Sequence, residues 1–282
     1  MLKRWLSKFS PGSTSEFDEI FEHLKTVYPS GEDAWGLNLK KAKKSMSYIL
    51  PFYKNYFRVQ VHGKENVRDE TYMVVSNHSG QIAIDGMLIT MAFAHDIFPP
   101  RVLRSMVERF FMKIPFVGAW ASEGGAVLGD RQNCLNLLSR KQSILVFPEG
   151  VRGVAKSTSE YYELQKFTSG FYRLSSQAKV KILPVAVIGA EEFFPYVYQA
   201  KGLAKSLGLP ALPISANYVP LPSPVDIWIG EPIEVDPTID LDTPDEIINE
   251  QVAKVEDATK ELIKNGLNHK RDLLSNIKGL LE

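Results

Sequence analysis

Apolar residues fall in two kinds of run along this chain, and their alternation predicts the architecture. Residues 57–62, 72–76, 143–147 and 182–188 are short apolar runs, largely β-branched, of the kind buried inside a sheet. Residues 226–230, DIWIG, read as a further strand. Between them, residues 82–94, 130–140 and 167–178 carry helical spacing, with Phe167, Phe171, Leu174 and Ala178 near one face of the last. A helical tail follows, with Ile248, Val252, Val255 and Leu262 in register. This alternation predicts an α/β fold, a mostly parallel sheet flanked by helices. Residues 207–224 contain five prolines and predict a loop that borders a site or dips into lipid.

The front of the chain is patterned differently. Leu2, Trp5, Leu6 and Phe9 recur at i, i+3, i+4 and i+7, with Lys3, Arg4 and Lys8 on the other faces. Lys40, Lys41, Lys43 and Lys44 then lead into Met46, Tyr48, Ile49, Leu50, Phe52, Tyr53, Tyr56 and Phe57. Lysines that snorkel and tyrosines that straddle an interface suit a lipid headgroup boundary. A basic helix packing its aromatics on a core has the same pattern. The expected division is an amphipathic, membrane-binding helical segment at 1–56 and an α/β domain with a helical tail at 57–282.

Composition adds little except in its distribution. Hydrophobic residues are 44% and charged residues 23% of 282, ordinary for a folded chain able to bury a full core. The formal net charge is +0, yet residues 36–68 hold eight Lys or Arg against one Glu, and residues 231–263 hold eleven acidic residues against two Lys. That asymmetry fits one face turned to an anionic surface, and equally two solvated helix faces of opposite sign. Cys134 is the only cysteine, so no intramolecular disulfide forms. The start, MLKRWLSKFSPG, lacks a signal-peptide core. The longest apolar run, 86–94, falls short of the ~18 residues of a spanning helix. The expectation is a cytoplasmic protein, peripheral on a membrane, with no nucleic-acid partner. Five scattered histidines and one cysteine make no metal set. No P-loop, G-x-G-x-x-G or G-x-S-x-G pattern occurs.

Four segments carry candidate chemistry. In TYMVVSNHSGQIAIDGM, an apolar strand ends at Ser76, and Asn77 and His78 follow at its carboxyl end, where open α/β sheets gather ligands. A histidine there can accept a proton, and a carboxylate such as Asp85 can fix its tautomer and hold the imidazolium. Taken alone, a hydrogen-bonded turn histidine is the commoner case. In ILVFPEGVRG, Pro148, Glu149 and Gly150 turn the chain, and Arg152 offers the planar fork suited to phosphate. Glu149 and Arg152 pairing across the turn would be the structural alternative. GGAVLGDRQN places Arg131 beyond a short strand, and LPVAVIGAEE is a buried strand ending in an acidic turn.

Together these segments resemble the glycerolipid acyltransferase family, best known through its lysophosphatidic acid acyltransferases. That family has an Asn-His-x4-Asp block, a block ending in Arg, a Phe-Pro-Glu-Gly-x-Arg block and a block around a Pro in an apolar strand. Counterparts stand here in that order at residues 77–85, 125–131, 147–152 and 183–187, and the resemblance covers residues 57–231. It implies transfer without a covalent intermediate. His78 would take the acceptor hydroxyl's proton, Asp85 would orient His78, and acyl-CoA or acyl-carrier protein would be the co-substrate, with no other cofactor. Glu149 and Gly150, whose backbone donors would face the oxyanion, Arg131 and Arg152 on phosphate, and Lys166 would bind substrate. The implied acceptor is a lysophospholipid in phospholipid synthesis or remodelling. Alternatives are a neutral mono- or diacylglycerol, since NHSGQ-x3-DG is similar to the monoacylglycerol-acyltransferase-like branch, and a lipid-binding protein without turnover. One departure matters: Ala83 stands where the family has its acidic residue, and Asp85 lies seven positions after His78. On a straight helix that offset means about 10 Å of rise. Residues 79–81 must therefore form a wider turn for His78 and Asp85 to meet.

Overall fold

The buried β-branched runs pair mainly side by side in one direction. The computed structural model describes residues 14–79, 84–154, 156–199, 213–215, 217, 219–240 and 242–274. Its main sheet contains β1 (Gln60–His62), β2 (Tyr72–Ser76), β3 (Arg104–Val107), β4 (Val127–Leu128), β5 (Ile144–Val146) and β6 (Lys181–Ile188). After a separate antiparallel ribbon of β7 (Tyr196–Gln199) and β8 (Pro213–Ser215), β9 (Asp226–Ile229) joins the main sheet. The strand order is β1-β9-β6-β2-β5-β3-β4. All neighbours are parallel except β6 and β9, so β1 and β9 run against the other five. This is the expected mostly parallel sheet, and the carboxyl ends of its five co-directional strands share one rim.

Helices cover both faces because the central strands β2 and β6 bury both. They are α1 (Asp18–Val27), α2 (Leu39–Pro51), α3 (Ile84–His95), α4 (Arg109–Met112), α5 (Val117–Glu123), α6 (Arg131–Ser139), α7 (Val151–Val154), α8 (Gly170–Ala178) and α9 (Asp245–Asn268). Successive side chains of β2 point to opposite faces. Tyr72 and Val74 pack with Leu24 of α1, Met46 and Leu50 of α2, and Leu88 and Ile89 of α3. Met73 and Val75 pack with Cys134 and Leu137 of α6, Phe171 of α8, and Ile248 and Val252 of α9. The apolar run at 86–94 is thus a core helix, hydrophobic all round because it is enclosed. Among the described residues no helix is long and apolar enough to cross a membrane.

Several local expectations change. The Leu2–Phe9 periodicity lies outside the described residues. The Lys40–Phe57 stretch packs Ala42, Met46, Leu50, Tyr53 and Phe57 into the same cluster as the sheet. Its other faces leave Lys40, Lys41, Lys44 and Tyr48 exposed. The first strand starts at Gln60, because Phe52–Tyr56 wind as a π-helical turn and Arg58 takes a left-handed φ of 44°. Within the proline-rich stretch, Pro213–Ser215 form β8; residues 207–212, 216 and 218 lie outside the described residues. β3 carried no signal in the sequence. Its Arg104 is fully buried, fixed by Asp33, Gln142 and the Gly125 carbonyl.

Candidate active site

The site grows from the carboxyl end of β2, the central strand, with β6 on one side and β5 on the other. Asn77 continues the strand edge with its side chain. Its Nδ2 donates to the Val187 carbonyl at 3.1 Å, and its Oδ1 accepts from the Val187 N–H at 2.8 Å. This side-chain extension of the β2–β6 ladder fixes the backbone leading into His78.

His78 lies 2.7 Å through Nδ1 from Oδ2 of Asp85, which is fully buried. The two side chains meet across the seven-residue offset, with Asp85 on α3 (Ile84–His95 as described). Residues 80–83, which would show the turn itself, lie outside the described residues. Asp85 is fixed independently of His78: Oδ2 accepts from the Ser79 N–H at 2.8 Å and Oδ1 from the Gly86 N–H at 2.7 Å. The imidazole stacks on Phe147 at 4.1 Å between ring centres and 17° between planes. Gly153 packs under it so closely that a Cβ there would lie 2.8 Å from the His78 Cβ and 3.0 Å from the Glu149 Cβ. The last glycine of FPEGVRG therefore allows this close approach.

Glu149 faces inward, 1% exposed, with both oxygens engaged. Oε1 accepts from the His78 N–H at 2.7 Å; Oε2 accepts from the Gln165 N–H at 2.7 Å and lies 3.0 Å from Lys156 Nζ. Lys156 also reaches Oε1 of Glu191 at 3.2 Å, and Glu191 Oε2 accepts from the Tyr162 N–H at 2.5 Å. Burial raises the Glu191 carboxyl to about 7, against the opposing pull of Lys156. Tyr162 donates to Glu192 at 2.8 Å and accepts from the Gly189 N–H at 3.0 Å; burial raises its phenol pKa.

The other residues expected from the sequence spread along the rim. Gly150 takes a left-handed φ of +59°, and its N–H closes the turn onto the Phe147 carbonyl at 2.9 Å. That donor is therefore engaged within the turn. Arg152, in α7, is exposed and donates to the Lys166 carbonyl at 2.7 Å instead of pairing with Glu149. Lys166 itself is exposed. Arg131 is exposed at the start of α6, just past β4. Three strand positions separate β4 from β2, about 14 Å at ordinary strand spacing. The structure thus brings His78, Asp85 and Glu149 together, keeps Arg152 on the adjoining turn, and leaves Arg131 farther along the same rim. The sequence reading missed Lys156 and Glu191. Glu191 stood in the acidic turn after β6, but a lysine just past a short helix carries no mark of burial.

Comparisons with known proteins bear on the family and the fold. Residues 58–188 match the protein-family model described as Acyltransferase. An uncharacterized protein of Mycobacterium tuberculosis is 36% identical over 193 residues, 64% of this chain and 54% of that one. The chain therefore spans about half the length of its mycobacterial relatives. A Bos taurus protein described as a DGAT1/2-independent enzyme synthesizing storage lipids is 25% identical over 256 residues, 86% of this chain and 71% of that one. The crystal structure of the 1-acyl-sn-glycerophosphate (LPA) acyltransferase PlsC from Thermotoga maritima has the same fold. Its TM-score is 0.50 at 18% identity, over 82% of this chain and 84% of that one. Residues 58–188 thus resemble the Acyltransferase family, and the chain has the fold of a solved acyltransferase.

Proposed function

We propose that this chain transfers a fatty acyl group from acyl-CoA or acyl-carrier protein to a lipid hydroxyl, with His78 as general base. The observation that carries this reading is the 2.7 Å His78–Asp85 contact at the carboxyl end of the central strand. Asp85 on Nδ1 keeps a proton on that nitrogen and leaves the Nε2 lone pair for the acceptor hydroxyl. As Nε2 takes the hydroxyl proton, the oxygen attacks the thioester carbonyl. Collapse of the tetrahedral intermediate forms the ester, breaks the C–S bond and returns the proton from Nε2 to the departing thiolate. Asp85 stabilises the transient imidazolium, and Phe147 holds the ring plane.

Two acceptors divide the support. Arg152, next in the chain to the Gly153 that packs on His78, and Arg131 on the same rim favour a phosphate-bearing acceptor, a lysophospholipid in phospholipid synthesis or remodelling. The likeness to enzymes named for storage-lipid synthesis favours a neutral monoacylglycerol-type acceptor. The test presents palmitoyl-CoA with lysophosphatidic acid or monooleoylglycerol and identifies products by mass spectrometry. For the phosphate-bearing acceptor, Arg131→Ala and Arg152→Ala should each lower kcat/KM by roughly tenfold or more, since a charge-assisted contact is worth about 1.5–3 kcal/mol. Lys at either place should restore only part, lacking the bidentate fork. For a neutral acceptor, the same changes should alter only the apparent affinity for the thioester. Unaltered constants for both substrates would make the arginines structural and end the phosphate argument.

We further place the protein on the surface of an anionic membrane, peripheral and on the cytoplasmic side. Support comes from exposed residues on and beside two adjoining helices. Trp120 of α5 donates from Nε1 to Ser45 Oγ of α2 at 3.0 Å, and Lys41 pairs with Glu123 at 2.6 Å, so the two helices lie side by side. On them Phe116 is 92%, Tyr48 52% and Trp120 43% exposed, beside exposed Lys40, Lys41 and Lys44. Exposed aromatics flanked by lysines match an interfacial surface. Co-sedimentation with vesicles containing phosphatidylserine should show binding that weakens with salt, because charges are screened beyond about 8–10 Å. Phe116→Asp with Trp120→Asp should abolish it. Equal binding by that double variant would move the membrane surface elsewhere.

A further inference from the structure

Lys156 lies outside the four blocks and plays no part in the chemistry above, yet its side chain is only 4% exposed between two buried carboxylates. Glu149 follows β5 and Glu191 follows β6, the two strands that flank β2. Those strands stand about 10 Å apart, too far for either carboxylate to reach across. The lysine ammonium bridges the gap, at 3.0 Å from Glu149 and 3.2 Å from Glu191. Through these carboxylates the bridge also holds three backbone amides, those of His78, Gln165 and Tyr162. Two carboxylates this deeply buried need a counter-charge, and removing one partner of such a cluster leaves an uncompensated charge.

We propose that Lys156 is a positioning residue for His78: its bridge across the end of the central strand holds Glu149 against the His78 N–H and so sets the height and tilt of the imidazole. Without the ammonium, Glu149 loses its tie to the β6 side and loosens from the His78 amide, and the imidazole moves off the line of attack. Ångström-scale misplacement of a reacting group costs on the order of 10²-fold in rate. Lysine is the fitting residue here because a flexible stem can carry a compact charge between two separate oxygens, whereas a guanidinium is broader and planar.

The inference rests on the transferase reading, and the experiment separates the two. Turnover of palmitoyl-CoA is measured with lysophosphatidic acid and with monooleoylglycerol, alongside amide hydrogen exchange at His78 and Gln165. Lys156→Met should lower kcat by about 10- to 100-fold, with both KM values within about twofold of wild type. Lys156→Arg, which keeps the charge, serves if Lys156→Met does not fold, and should lower kcat by roughly tenfold. An unchanged kcat in the folded variants, or a loss confined to KM, overturns the proposal. Should wild type and His78→Ala turn over alike, the transferase reading fails on its own. Exchange then still decides: lost protection at His78 and Gln165 with β6 still protected supports the brace, and unchanged protection overturns it.

Discussion

His78→Ala is expected to lower acyl transfer by about 10²–10⁴-fold, the usual effect of removing a general base. The fold should survive, for reasons visible around the residue. The His78 side chain is 16% exposed and stacks on Phe147, a partly buried ring at the margin of the first cluster, and belongs to neither cluster itself. Truncation leaves Asp85 still accepting from the Ser79 and Gly86 amides, so the buried carboxylate keeps two donors. The Glu149 contact is to the His78 backbone N–H and also survives. Steady-state kinetics with a thermal melt checks both halves. Turnover near that of wild type would refute the role of His78 as base, whatever the melt shows.

Asp85→Asn is expected to be as damaging, about 10³–10⁴-fold in kcat, by analogy with the carboxylate that sets the histidine tautomer in serine proteases. An amide NH₂ facing Nδ1 would draw the imidazole proton to Nε2, where the lone pair is needed. Here stability should fall as well. Oδ2 of Asp85 serves His78 and Ser79, while Oδ1 serves Gly86. An asparagine must therefore turn its NH₂ toward a backbone N–H in either orientation, donor against donor. Leaving a buried donor unsatisfied costs about 1–3 kcal/mol. Denaturant unfolding measured beside kcat separates the two effects. A variant within tenfold of wild-type kcat would show that Asp85 does not control the tautomer, and an unchanged unfolding midpoint would contradict the packing argument.

Much of the fold was legible because its signals are local. β2 has the limits its apolar run implied, residues 72–76, and β6 and β9 differ from their runs by one residue. α6 and α8 start later than their periodicity suggested, as helix ends depend on capping more than on the apolar stripe. β3 was not legible because its Arg104 is an interior cation. Periodicity counts arginine as a surface residue, and its partners Asp33 and Gln142 lie 71 and 38 residues away. The helical segment before residue 57 was legible as amphipathic. Which of its faces meets the sheet was not, since core packing and lipid contact ask for the same pattern.

By itself, the sequence determined the strand–helix alternation, the placement of His78 just past a strand and the turn chemistry of FPEGVRG. Each depends on residues within a few positions of one another. Tertiary structure alone decided that β5 and β6 flank β2, so that Glu149, 71 residues from His78, locks its backbone from one side. From the other side, Val187 meets Asn77 across 110 residues. The same pairing decided that Lys156 is an interior brace and that Arg131 stands farther along the rim than Arg152. The physical reason is that strand order is set by which apolar faces can be buried together over the whole chain. The charge of a side chain such as Lys156 is written in the sequence; the burial that gives that charge a positioning role arises only when distant strands pair.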